Sequence, residues 1–204
     1  MFEKILTALL LLTAPLPAMA GTLDLRIVDA SGKAVSDAVV TVKPASGVPK
    51  GPIRFPWGTT MTQQNIAFNP HVLIVPVGAT ISFPNKDKVR HHVYSFSKPA
   101  RFELKLFGRD ETRSYTFTSP GAVALGCNIH DSMSGFVKVV DTPFAAKSNA
   151  AGQVAIAGLP AGAASVTVWH PDLRGKDNEM MLQVPMTASG SIGRVVKLNL
   201  RTGS

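Results

Sequence analysis

Cys127 is the single cysteine in a chain of 204 residues, and His130 and Met133 follow it at steps of three. One short loop can fold a thiol, an imidazole and a thioether in this Cys-x-x-His-x-x-Met spacing over a common point. The residues before them, Gly121-Ala122-Val123-Ala124-Leu125-Gly126, alternate as a strand, which puts Val123, Leu125 and Cys127 on one face. If that face is the core, the sulfur emerges at the apolar end of a sandwich. A lone thiol can be an inert buried residue, an intermolecular cross-link, a nucleophile or a metal ligand. The neighbours favour the metal, because thiolate, imidazole and a weak axial thioether suit copper in electron transfer: soft sulfur favours Cu(I), while imidazole also tolerates Cu(II). Cys127 and His130 as nucleophile and base fit less well, since a thioether has no part in acyl transfer. Four protein ligands also leave no open position for a substrate, so the protein is not expected to be an enzyme.

Such a site needs a second imidazole. Asn85-Lys86-Asp87-Lys88-Val89-Arg90-His91-His92-Val93 supplies one upstream, at the start of a strand, with His91 and His92 both available. His71 and His170 each stand alone at a strand end and are read as structural hydrogen-bonding residues. Met180 and Met181 are read as gap-fillers in apolar contacts.

The elements that must position these residues read as short strands. Leu23, Leu25 and Ile27 alternate with Asp24 and Arg26 before the turn Asp29-Ala30-Ser31-Gly32, and Ala38 to Val42 then forms an expected hairpin partner. Residues 44–60 are rich in Pro and Gly and read as a linker. Strands follow at 72–77, 79–83, 92–96, 102–106, 114–118, 122–127 and 135–140, and beyond Asp141 at 153–157, 165–169 and 194–200. No helical period persists, so the chain is expected to be all-β, a sandwich or barrel. Segments 22–45 and 148–200 each carry too few strands to cover an apolar face alone and are expected to fold together.

At the amino terminus, Lys4, the apolar run Ile5 to Leu12 and the Ala18-Met19-Ala20 pattern read as a signal peptide over 1–20, with a mature chain beginning near Gly21. The run is shorter than the roughly 20 apolar residues that span a bilayer, and no later run is long enough, so a periplasmic protein without a membrane span is expected. In that oxidising compartment an unpaired cysteine needs a reason, which the metal supplies. The formal net charge of +8 points to acidic partners. Nucleic acid is not expected, because the basic residues are spread along strands without interleaved aromatics. Lys88, Arg90, Lys98, Arg101 and Lys105 border the first histidine. They read equally as a docking face for an acidic redox partner and as charges that protect strand edges.

The order Asn85, His91, Cys127, His130, Met133 resembles the cupredoxins, notably plastocyanin and amicyanin, in which an asparagine opens a loop six residues before a histidine ligand. Turns Val77-Gly78-Ala79-Thr80 and Ser119-Pro120-Gly121 extend the likeness over about 66–140. The resemblance implies one copper ion held by His91, Cys127, His130 and Met133, with His91 preferred to His92 by loop length. It departs from the family at His92, where an asparagine is usual, and at Gly126, where an aromatic is common. The whole chain resembles the longer cupredoxin-like proteins labelled methylamine utilisation proteins. Its outer segments resemble the halves of a carboxypeptidase regulatory-like, or transthyretin-like, β-sandwich. The implied organisation is a cupredoxin Greek-key sandwich at 60–142, a linker at 47–59 and a second small sandwich from 21–46 and 143–204. The implied function is single-electron transfer between redox partners. A copper chaperone or sensor is the alternative, and a structural β-protein with a decayed site comes third.

Overall fold

The computed structural model describes residues 20–201, so the signal-peptide expectation falls, except for Ala20, outside the described residues. The described chain is all-β, and no helix in it is long and apolar enough to cross a membrane.

Strand β1 (Gly21–Asp29) buries Leu23, Leu25 and Ile27 and exposes Asp24 and Arg26, as the alternation requires. Strand β2 (Val39–Pro44) does not pair with it, contrary to the hairpin expectation. After the turn, β1 keeps a single bridge, Val28 to Ala34, and the chain then turns through Asp37 at φ 57° and crosses to the facing sheet. The physical reason is burial: Val40 and Val42 pack across the core against β1 and need the opposite sheet.

From β2 the chain passes through 45–60 with little regular structure, though not freely. Phe55 and Trp57 stack at 4.8 Å, and Trp57 Nε1 donates to the Ile74 carbonyl at 2.8 Å. A hairpin follows, β3 (Thr62–Gln64) and β4 (Ala67–Asn69), neither of which the sequence pattern revealed. Next come β5 (Val72–Pro76), β6 (Ala79–Pro84), β7 (His91–Ser97), β8 (Ala100–Phe107), β9 (Thr112–Phe117), β10 (Gly121–Gly126) and β11 (Ser134–Val140). One sheet runs β5-β11-β10-β7-β8; the other face is β6 paired with β9, to which β3 attaches by bridges Thr60–Ser82 and Gln63–Asn85. Between them lies a core that includes Phe83, Phe107, Phe117, Val123, Leu125 and Val137.

The chain then returns as β12 (Ala145–Lys147), β13 (Gln153–Leu159), β14 (Gly162–Trp169), β15 (Glu179–Met186) and β16 (Ser191–Leu198). These complete sheets β13-β1-β16 and β12-β2-β14-β15, with β16 parallel to β1. Both chain ends thus share one core, Leu23, Ile27, Val40, Ile156, Val166 and Leu198 among it. Buried hydroxyls tie the pieces: Ser148 accepts from the Ala38 N–H at 3.0 Å and donates to the Val35 carbonyl at 2.7 Å. Strand β15 carries Pro185 in its interior, which an edge strand tolerates because one side of its ladder is unpaired. Met181 on this strand is 68% exposed, so it fills no gap.

A third apolar cluster, Val39, Val72, Ile74, Val140, Ala145 and Trp169, draws residues from both parts of the chain. Trp169 of β14 meets Phe136 of β11 edge-on at 5.7 Å, and Lys138 Nζ lies 5.5 Å from the Trp169 ring centre while pairing with Glu179 at 2.6 Å. Lys147 reaches Asp37 at 2.6 Å and the Val72 carbonyl at 2.9 Å. Trp169→Ala should therefore lower unfolding free energy by about 3–5 kcal/mol, since it empties a buried site and strips the lid from Lys138; urea denaturation followed by circular dichroism measures this.

Candidate metal centre

The hairpin β10–β11 closes with Gly126 paired to Ser134, so residues 127–133 form the whole connection. Cys127 continues the buried face of Val123 and Leu125 and is 3% exposed. Within the connection the Met133 N–H donates to the His130 carbonyl at 2.8 Å, a tight turn that folds the loop back and leaves Met133 1% exposed in the same apolar cluster as Cys127.

Strand β7 meets β10 at Tyr94 opposite Gly126. A side chain at 126 would push the Tyr94 ring aside, because a Cβ would stand 2.7 Å from its phenol end. The aromatic missing before the cysteine is thus replaced by one from the neighbouring strand, a substitution the linear pattern could not reveal. Alternation along β7 then separates the two histidines: His91, Val93 and Ser95 face inward, while His92 shares the other face with Tyr94 and Phe96.

His91 Nδ1 and His130 Nδ1 each lie 3.9 Å from Cys127 Sγ, with ring centres 5.0 Å apart. Ligand atoms of these three residues fall within 4.8 Å of one another. At 3.9 Å the sulfur and nitrogens are too far apart to hydrogen-bond strongly. The spacing suits a shared ion, since metal bonds of about 2.0 Å to nitrogen and 2.3 Å to sulfur leave ligand atoms roughly 3.5–3.9 Å apart. His92 instead turns its Nε2 to Glu103 at 2.8 Å, and its Nδ1 is buried without a partner.

Asn85 organises the approach to His91. Fully buried, it donates from Nδ2 to the carbonyls of Val89 at 2.9 Å and Phe107 at 3.1 Å, and its Oδ1 accepts from the Asp87 N–H at 2.9 Å. Its backbone accepts from Asp110 and donates to Glu111. Asp87, which sequence reasoning did not single out, accepts at Oδ2 from His91 Nε2 at 2.7 Å. The same carboxylate accepts the N–H groups of Asn65 at 2.7 Å and Ile66 at 2.9 Å. Burial alone would raise its pKa, but the Ile66 N–H, the His91 ring and the Asn65 N–H together hold it below the ordinary carboxylate value. An acidic residue four before a histidine was the one signal in the sequence, and it means little until the hairpin beneath it is known.

His71 is exposed and packs edge-on against Phe136 at 5.4 Å. His170 accepts the Asp172 N–H at 3.1 Å; burial pushes its pKa down against the opposing pull of Asp172 and Asp37. Neither belongs to the His91–Cys127–His130 group. Around that group, Arg90, Lys105, Leu106 and Ile129 line a surface depression beside His92.

No protein-family model matches the chain, and no curated protein does. Among solved structures, a purple cupredoxin from Nitrosopumilus maritimus is similar at 21% identity and a TM-score of 0.38, over 41% of this chain and 100% of that one. A reduced amicyanin variant is similar at 23% identity and TM-score 0.38, over 50% and 98%. A Cu-containing nitrite reductase from Thermus scotoductus SA-01 is similar at 29% identity and TM-score 0.40, over 48% of this chain but only 25% of its own length. The chain spans about a quarter of that reductase. At these scores the chemistry of the site rests on its own donors.

Asn85→Ala removes the side-chain bonds to the buried Phe107 carbonyl, the part-buried Val89 carbonyl and the Asp87 N–H. It should cost about 1–3 kcal/mol in urea unfolding of the metal-free protein.

Proposed function

We propose that His91, Cys127, His130 and Met133 hold a single copper ion, and that the protein is an exported carrier of single electrons between redox partners. The observation that carries this reading is the convergence of two imidazole Nδ1 atoms on the one thiol of the chain, each at 3.9 Å. Bound copper supplies a one-electron Cu(I)/Cu(II) couple, and soft sulfur with imidazole suits both states. The chain's contribution is rigidity. Cys127 and His91 sit at the ends of paired strands, and Asn85 pins the connection before His91, so the donors need not move when the charge changes.

His91 is fully buried, whereas His130 is half-buried in a loop beside Ile129, itself 48% exposed. The His130 edge is therefore the short route to a partner. Val89 and Leu106 are also exposed nearby, and Lys88, Arg90 and Lys105 provide positive charge for an acidic docking face. We read residues 60–142 as the copper-holding sandwich set into a second one formed by 21–46 and 143–204. Two separate cores, and the first and last described strands pairing in one sheet, support this reading. The signal-like amino terminus supports a periplasmic location, and the closed donor set supports a carrier rather than an enzyme.

Cu(II) added to the metal-free protein should give an intense visible thiolate-to-copper band and a reversible one-electron reduction, both absent from Cys127→Ser. A colourless copper form that yields its metal to a weak competitor would instead support the chaperone or sensor alternative. Electron exchange with an acidic partner should slow steeply as ionic strength rises from about 0.01 to 0.1 M, because the screening length falls from about 30 to 10 Å. A rate indifferent to salt would remove the docking role of the lysines and arginines.

A further inference from the structure

The hairpin β3–β4 turns at Asn65-Ile66, with φ of 57° and 55°. Two consecutive left-handed residues make the tight turn that suits a two-residue hairpin, and the second position normally takes glycine. Asparagine tolerates this conformation; a β-branched isoleucine does not and is a true outlier. Packing does not explain it, since Ile66 is 43% exposed. Strain of this kind persists only where the surroundings over-determine it.

What determines it here is Asp87. The left-handed pair aims two successive N–H groups at one carboxylate, at 2.7 and 2.9 Å, and the Lys86 N–H donates to the Gln63 carbonyl at 2.8 Å, docking the hairpin on the same loop. Having accepted hydrogen bonds from two backbone N–H groups, and with its side chain 13% exposed, Asp87 meets His91 Nε2 at 2.7 Å. An ionised carboxylate can only accept, so Nε2 carries a proton, and in the neutral imidazole this leaves the Nδ1 lone pair toward Cys127.

We infer that Asp87 is a positioning residue that fixes the tautomer and direction of the His91 imidazole, and that the strained Asn65–Ile66 turn is the brace holding Asp87. The part of this that concerns copper rests on the function proposed above. A carboxylate behind the ring makes the nitrogen a stronger donor, which favours the more highly charged oxidised metal, and losing such a partner typically costs 10–100-fold in metal affinity.

The test compares wild type with Asp87→Ala, the nearly isosteric Asp87→Asn and Ile66→Gly. In metal-free protein, nitrogen NMR should show His91 protonated at Nε2 in wild type and Ile66→Gly, and a mixture of tautomers in Asp87→Ala. With copper, both Asp87 variants should bind Cu(II) about 10–100-fold more weakly. If Cu(I) affinity is unchanged, the potential should rise by about 59 mV for each tenfold loss. Ile66→Gly keeps both N–H donors, so its potential should match wild type while its melting temperature rises. Tautomer and potential unmoved in the Asp87 variants, with only the melting temperature lowered, would overturn the inference. A wild type that forms no thiolate–copper species would instead defeat the proposed function, and the metal-free NMR would still decide whether Asp87 sets the His91 tautomer.

Discussion

The register in which β10 meets β7 is the constraint on which the rest depends. Gly126 opposite Tyr94 sets how far Cys127 stands from His91, and the pairing of Gly126 with Ser134 sets how tightly the loop folds His130 back. Since side chains alternate across a strand, a slip of one residue in β7 would turn His91 outward and bring His92 in. Gly126 leaves room for the Tyr94 ring at this crossing.

Around that contact the scaffold is doubly tied. The inner core packs behind the strands that carry the thiol and the first imidazole. The shared cluster with Trp169 and the Lys138–Glu179 pair attach β11, the strand after the loop that carries Cys127, to β14 and β15. Lys138 has little access to water, because the Trp169 face covers it and Glu179 pairs with it. These contacts tie β11 to strands formed by the outer segments of the chain.

Hydrogen bonding completes what packing begins. Asn85 joins the loop before His91 to the end of β8 and to the turn after it, and Asp87 joins that loop to the β3–β4 hairpin. Both are polar groups in sparsely hydrated surroundings, where satisfied networks rigidify and unsatisfied ones are costly. Together they fix the loop from which His91 approaches Cys127.

Sequence alone determined the class of the chain and its donor types. Strict alternation in β1 and β10, turn residues between short apolar runs and the absence of helical period require an all-β fold, since local sterics and burial set that pattern. The Cys127, His130 and Met133 spacing was legible because one loop carries all three. What the tertiary structure alone decided were pairings between distant segments: β2 crossing to the facing sheet, Tyr94 lying over Gly126, and Asn65-Ile66 gripping Asp87. Those depend on which strand lies beside which and in what register, a property of long-range burial that no local run of residues encodes.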